Sequence, residues 1–178
     1  MDVDLDRYAG PPTDPAVLAA RREALVDQLG WLQDEAQALA PVLAGLPEWA
    51  LVQTPLADER SLKATLANLV RLDREVYPRW VERVIAEDAP ELEPEGAGAD
   101  DGAAPSLEAL LAELHDARAA LVRTFEAVPA GEWARTGRLG GGPLSLYDLA
   151  LRVVRHDADA LRTLAYRLHE SNLGDREG

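Results

Sequence analysis

The sequence predicts an all-α protein: a four-helix bundle with long connections between the second and third helices and between the third and fourth. Three observations carry that expectation. Apolar residues recur at three- and four-residue spacing in four long segments. Each segment opens on a side chain suited to capping a helix. No alternating apolar–polar run reads as a strand, and there is no internal repeat. The whole chain, residues 1–178, is expected to form one domain.

The first helix starts at Thr13-Asp14-Pro15, a cap followed by proline in the first turn. Leu18, Leu25, Leu29, Leu32, Ala36 and Leu39 mark its buried stripe, and Pro41 should kink or end it. LAGLPEWALVQTPLADER then reads as a proline-punctuated connection. Ser61 caps the second helix, with Leu62, Leu66, Leu69, Val76, Trp80 and Val84 on one face. It should bend at Pro78 and fade near Glu87. DAPELEPEGAGADDGAAP, residues 88–105, is proline, glycine, alanine and acid, and is expected to be a flexible acidic loop with nothing to pack. Ser106 opens a third helix carrying Leu107, Leu110, Leu111, Leu114, Leu121, Phe125 and Val128, and Pro129 stops it. PAGEWARTGRLGGGP reads as irregular. Ser145 and Asp148 make a start resembling a capping box for the fourth helix, which should run to about Glu170, where SNLG ends it.

Composition limits the function. The chain is 47% hydrophobic and 28% charged, with a net charge of −14. That balance argues against binding a nucleic-acid backbone or an anionic membrane surface. With no cysteine, disulfides, thiolate metal sites and a cysteine nucleophile are excluded. The acidic start MDVDLDRYAGPP lacks the pattern of a secretion signal, and no apolar run is long enough to span a bilayer, so a cytoplasmic location is expected.

At about 100° per residue, the apolar stripe of the second helix centres near Asp73, that of the third near Arg118 and that of the fourth near Asp157. Buried charges survive when they satisfy one another, and the arginine fork can serve two carboxylates. Arg118 is therefore expected to meet Asp73, Asp157 or both, as a structural network. The alternative is a rotated bundle that leaves some of them exposed.

His156 lies at the border of the core face of the fourth helix, with Ala160 one turn later on the same side. Asn68 occupies the matching border of the second helix. A three-ligand metal site between these helices would need histidines at Asn68 and Ala160 as well. Asp159 points away from the Ala160 direction by about 100°. His115 and His169 read as surface residues, His169 in the last turn of its helix. Ser61, Ser106 and Ser145 read as caps and Ser171 as part of a stop, so no serine relay is indicated, and LGGGP has no lysine or strand that would make it a phosphate loop. Trp31 falls off its helix's apolar centre, which suits either a dimer interface or partial cover by a loop.

SLKATLANLVRLD resembles the "S-x-x-E-x-x-x-H-L-x-x-x-E" segment of the DinB-like (YfiT-like) helical-bundle superfamily, and HDADALRTL resembles its later "H-D-x-x-H-L-x-Q-I" segment. Arg118, EWARTG and the Gly-Gly-Pro before the last helix fit as well, so the resemblance runs from about Ala16 to Tyr166. It implies a four-helix bundle, often a homodimer. It also implies a divalent metal (zinc, nickel or manganese) held by three histidines, and activity as a hydrolase or a transferase or isomerase using a low-molecular-weight thiol. Carried over by position, the metal histidines fall on Asn68, His156 and Ala160, the family glutamine on Thr163, and the acidic positions on Asp73 and Asp157. Two of the three metal positions therefore lack a histidine. His156 alone gives little hold on an ion, so the site is degenerate and no tightly held cofactor is expected. Two functions follow. One is a small-molecule transferase or hydrolase working at Asn68, His156 and Ala160, with Asp159 and Thr163 beside them. The other is a non-catalytic bundle that binds a small molecule or a partner.

Overall fold

The computed structural model describes residues 8–53, 60–96 and 105–174, the side chains of Leu32, Ala36 and residues 167–174 excepted. The stripe positions Leu32 and Ala36, His169 and Ser171 thus lie outside the described side chains, and the middle of the acidic connection, residues 97–104, lies outside the described residues.

Helix α1 spans Pro15–Ala44. The Asp14 carboxylate accepts from the backbone N–H of Ala16 and Val17, and proline sits in the first turn. Pro41 neither ends nor replaces the helix. It falls in the last turn, where its missing N–H forfeits a single bond, and the helix continues to Ala44 before Gly45. The connection expected to be irregular contains a short helix, α2, Glu48–Val52, whose Leu51 is buried.

The second long helix is built in three parts: α3, Leu62–Arg71, capped by Ser61; a π-helical turn, Leu72–Val76; and α4, Tyr77–Ala86. Pro78 is the cause of the break. It cannot donate to the carbonyl four residues back, and the turn before it widens so that the Tyr77 N–H bonds to Leu72 O instead. Asp73 lies inside this wide turn and is buried.

The acidic connection, read from the sequence as having nothing to pack, does pack over its first part. Glu91–Leu92 forms strand β1, and Leu92 is buried in the core. Glu95 is tied to Arg152 at 2.8 Å, and Gly96 O accepts from Arg71. β1 pairs in parallel with β2, Thr136–Leu139, which forms an antiparallel hairpin with β3, Gly142–Ser145. These strands correct the expectation of a strand-free chain. Gly140 and Gly141 both have positive φ, as a two-residue type I′ hairpin turn requires. At Gly137 a Cβ would lie 3.0 Å from both Leu92 Cδ1 and Val84 Cγ2, so a side chain there would have to push these methyls aside where β2 settles on α4 and β1.

Helix α5, Leu107–Ala127, is capped by Ser106 and stops before Pro129. A 3₁₀ turn, Ala130–Ala134, buries Trp133 against Phe125. Helix α6 spans Leu146–Gly174. Its start differs from a full capping box: the Asp148 N–H donates to Ser145 Oγ, but the Asp148 carboxylate accepts from the Ser145 hydroxyl and from Gly10 N–H.

Four long helices, α1, α3–α4, α5 and α6, make a four-helix bundle with the small sheet at one end. Its apolar core falls into two clusters. One gathers Leu18, Leu29, Val76, Trp80, Leu121, Phe125, Tyr147 and Val153; the other gathers Leu43, Leu51, Leu66, Leu69, Leu110, Leu114, Ala160 and Leu164. On α5 and α6 the boundary between them falls at Arg118 and Asp157.

Candidate functional site

Arg118 meets both carboxylates. Its Nε and Nη2 donate to Asp73 at 2.7 and 3.1 Å. Its Nη2 also donates to Asp157 Oδ1 at 2.8 Å, and its Nη1 to Asp157 Oδ2. All three residues are under 5% exposed, so this is a true interior network. It ties the π turn, α5 and α6 together. Four of the five guanidinium N–H groups are used by these bonds. Beside them lies a cavity of about 30 Å³, lined by Gln33, His115, Arg118 and Asp157 among others, with room for a water on the fifth.

The network carries two potential negative charges against one positive. Burial pushes the Asp73 carboxyl up to about 6 against the opposing pull of Arg118, and the Asp157 charge adds to the rise. For Arg118 burial works against the charged form, but hydrogen bonds and charge from Asp157 and Asp73 outweigh it and raise its pKa, so the cation persists.

One turn away on the same elements, Asn68, His156 and Ala160 line a common open hollow of about 280 Å³, with Arg60, Thr65, Leu69, Asp159 and Thr163. Asn68 is buried at the end of α3, and its Oδ1 already accepts from Arg71 at 3.1 Å. His156 is half-buried; its Nδ1 is enclosed and has no hydrogen-bond partner among the described residues. Ala160 is buried and presents only a methyl group. Asp159 and Thr163 are exposed, Asp159 paired with Arg162 at 3.3 Å and Thr163 Oγ1 donating to Asp159 O. His156 and Asp159 also line a second hollow toward Glu95, Asp148, Arg152 and Arg155.

Sequence reasoning missed this second flank. Arg152 is exposed and Arg155 half-buried on α6, and Glu95 comes from the acidic connection, which offered no periodicity to read. It also missed Tyr77, whose hydroxyl is buried without a hydrogen-bond partner among the described residues; burial raises its pKa, as do the charges of Glu95, Asp157 and Asp73. His115 is not the plain surface residue expected. It is half-buried, and Gln33 Nε2 donates to its Nε2 at 2.7 Å. Trp31 is 55% exposed.

The donor set does not suit a transition metal. One imidazole, an amide oxygen engaged by a guanidinium, and a methyl group cannot make the three-ligand set that holds zinc or nickel. Among the described residues, no three His, Asp or Glu side chains are grouped to hold a metal ion. No helix among them is long and apolar enough to cross a membrane.

A family model for the DinB superfamily matches residues 31–164. Among solved structures the chain is similar to YfiT from Bacillus subtilis, reported as a probable metal-dependent hydrolase with an unusual four-helix bundle topology. The TM-score is 0.63 at 12% identity, over 81% of this chain and 87% of that one. At that identity the likeness is one of fold. No curated protein matches the chain.

Proposed function

The chain belongs to the DinB superfamily, and on that premise we propose that it handles a small molecule in the hollow at Asn68, His156 and Ala160 without a resident transition metal. The reaction class is hydrolysis, or transfer involving a low-molecular-weight thiol. Hydrolysis is suggested by what is reported of YfiT, and the thiol by the resemblance to the wider family. The observation that carries the reading is His156: an imidazole at the meeting of two hollows, with a buried Nδ1 that nothing holds in one tautomer. Such a group is free to take a proton from water or a thiol as the oxygen or sulfur attacks, and to return it.

A second reading has its own support. Among the described residues no carboxylate orients the Nδ1 of His156, whereas a general base is normally held by a third group. The hollow would then bind a ligand and leave it unchanged. In either case a homodimer through the exposed Trp31 face belongs to the proposal, checked by sedimentation of the wild type beside Trp31→Ala.

Metal analysis of the purified chain, followed by a thermal-shift screen against small thiols and model esters, tests the proposal. The expected result is far less than one zinc, nickel or manganese per chain, with a ligand-induced shift that His156→Ala removes. The Asn68→His/Ala160→His pair should then gain about one bound metal, the hollow having acquired three imidazoles. Stoichiometric metal in the wild type that disappears in His156→Ala overturns the metal-free reading. Turnover of any screened ester or thiol adduct, lost in His156→Ala, decides for the enzyme over the binding module.

A further inference from the structure

The donors and acceptors that line the hollow at Asn68, His156 and Ala160 narrow its ligand to one chemical class, an inference that rests on this hollow taking a small molecule. A guanidinium only donates, so the Asn68 atom facing Arg71 Nη2 at 3.1 Å is the amide oxygen, and the NH2 group points the other way. Gly96 O accepts from the same Arg71 nitrogen at 3.1 Å, which holds the guanidinium and so keeps the amide from turning over. Asn68 is only 8% exposed. Its Nδ2 has no hydrogen-bond partner among the described residues yet is not sealed in, so it opens on the hollow that the residue lines. The two threonines of the hollow offer no proton: Thr65 Oγ1 donates to Ser61 O and Thr163 Oγ1 to Asp159 O, both at 2.9 Å. The remaining donor is Arg60. It lines the same hollow, is exposed, and forms no hydrogen bond or ion pair among the described residues. The carboxylate of the lining, Asp159, is already paired with Arg162 at 3.3 Å. Leu69 and Ala160 supply apolar wall. The chain's net charge of −14 opposes an anion at long range. At physiological salt, fields beyond about 8 Å are largely screened, so the groups inside the hollow decide.

We infer that the hollow binds a short carboxylate that carries a second carbonyl group. The carboxylate meets Arg60, the carbonyl oxygen accepts from Asn68 Nδ2 beside His156, and the methylenes between them lie on Leu69 and Ala160. Arg60 stands just before the Ser61 cap and Asn68 two turns into α3, a rise of about 12 Å over eight residues that the length of the arginine side chain partly closes. That span suits two oxygen functions joined by a short chain better than one alone. Charge then selects at one end of the ligand and a directed donor at the other.

NMR titration of the full chain at neutral pH and constant ionic strength tests this on the His156 imidazole signal, identified by its loss in His156→Ala. The three probes are monomethyl succinate, its uncharged isostere methyl succinamate, and hexanoate, an acid of the same length without the ester. Monomethyl succinate is expected to move the signal saturably and to bind about fivefold tighter than either of the others. Arg60→Gln, at an exposed position, should erase its advantage over methyl succinamate and leave the affinity for that neutral probe unchanged. Asn68→Asp keeps the shape and the contact with Arg71 but removes the donor. It should erase the advantage over hexanoate, a comparison of two anions in which the added charge cancels, while the helical circular dichroism stays unchanged. Affinities for monomethyl succinate and methyl succinamate within about twofold overturn the inference, as does a preference that survives Arg60→Gln, or hexanoate binding as tightly as the ester. In each of these cases a His156 signal that still moves leaves the small-molecule hollow standing. A signal that none of the three probes moves overturns the inference too, and the thermal-shift screen against thiols and esters then judges the hollow by itself.

Discussion

Two polar regions sit side by side on α3, the π turn, α5 and α6, and they are built on opposite terms. At Asp73, Arg118 and Asp157, every charge is buried and meets its counterpart, and the guanidinium spends four N–H groups on two carboxylates. At Asn68, His156 and Ala160, the groups are open on one side and poorly partnered, and His156 Nδ1 has nothing to bond. Asp157 and His156 are adjacent in sequence, yet one closes a network and the other leaves one unfinished. A polar group committed to architecture is saturated by its neighbours; a group left for a ligand is not. The saturated region also divides the apolar core in two, so helix register is set at the layer where a slip would strand a charge.

Arg118→Met attacks that contrast most severely. It removes the shared cation and leaves two carboxylates in the interior. The expected loss is about 3–5 kcal/mol of unfolding free energy at neutral pH, which is comparable to much of a domain's total stability. Chemical denaturation measures it. A change below about 1 kcal/mol would mean that the carboxylates reach water and the interior network is not holding the helices.

The excess negative charge gives the same region a pH signature. The Asp73 pKa is raised on folding, so the protonated form is favoured in the native state. Its contribution to stability is complete below the unfolded value near 3.8 and is lost as pH climbs through about 6. The shift corresponds to roughly 2–3 kcal/mol, at about 1.4 kcal/mol per pKa unit. Asp73→Asn mimics the neutral carboxyl at every pH. Relative to that variant, the wild type should weaken between pH 4 and 7. A stability difference that stays flat across this range would show that Asp73 remains ionised throughout and that Arg118 neutralises it completely.

Much of this contrast was legible in the sequence, for a definite reason. Helical periodicity fixes which residues share a face, and Asp73, Arg118 and Asp157 each stand at the centre of an apolar stripe. The same arithmetic put Asn68, His156 and Ala160 on facing borders, and they line one hollow. What escaped lies where periodicity stops. TGRL and GPLS are strands without alternation, and their signal was the Gly140–Gly141 pair, which suits a type I′ turn. Leu92 was one apolar residue amid acid, glycine and proline, and its burial depends on Gly137 leaving room beside it. The flank formed by Glu95, Arg152 and Arg155 joins a connection to a helix face, and no spacing within either announces their meeting. The π turn shifts the face of the second helix by one residue, and only Pro78 hinted at it.

The smallest expected effect is the sharpest probe of the comparison. His156→Ala removes a half-buried ring that makes no hydrogen bond at its enclosed nitrogen, so little is lost beyond partial packing, about 1 kcal/mol or less. Asp157→Asn, one residue on, weakens a bidentate contact with a buried guanidinium and should cost several times as much. The two variants change neighbouring residues of α6, so the backbone setting is shared, and the helix propensity that alanine gains over histidine only widens the expected difference. The difference therefore reports whether each side chain belongs to the scaffold. If His156→Ala proves as destabilising as Asp157→Asn, the imidazole is part of the architecture. The open hollow then loses its imidazole as a group free to move a proton without disturbing the bundle.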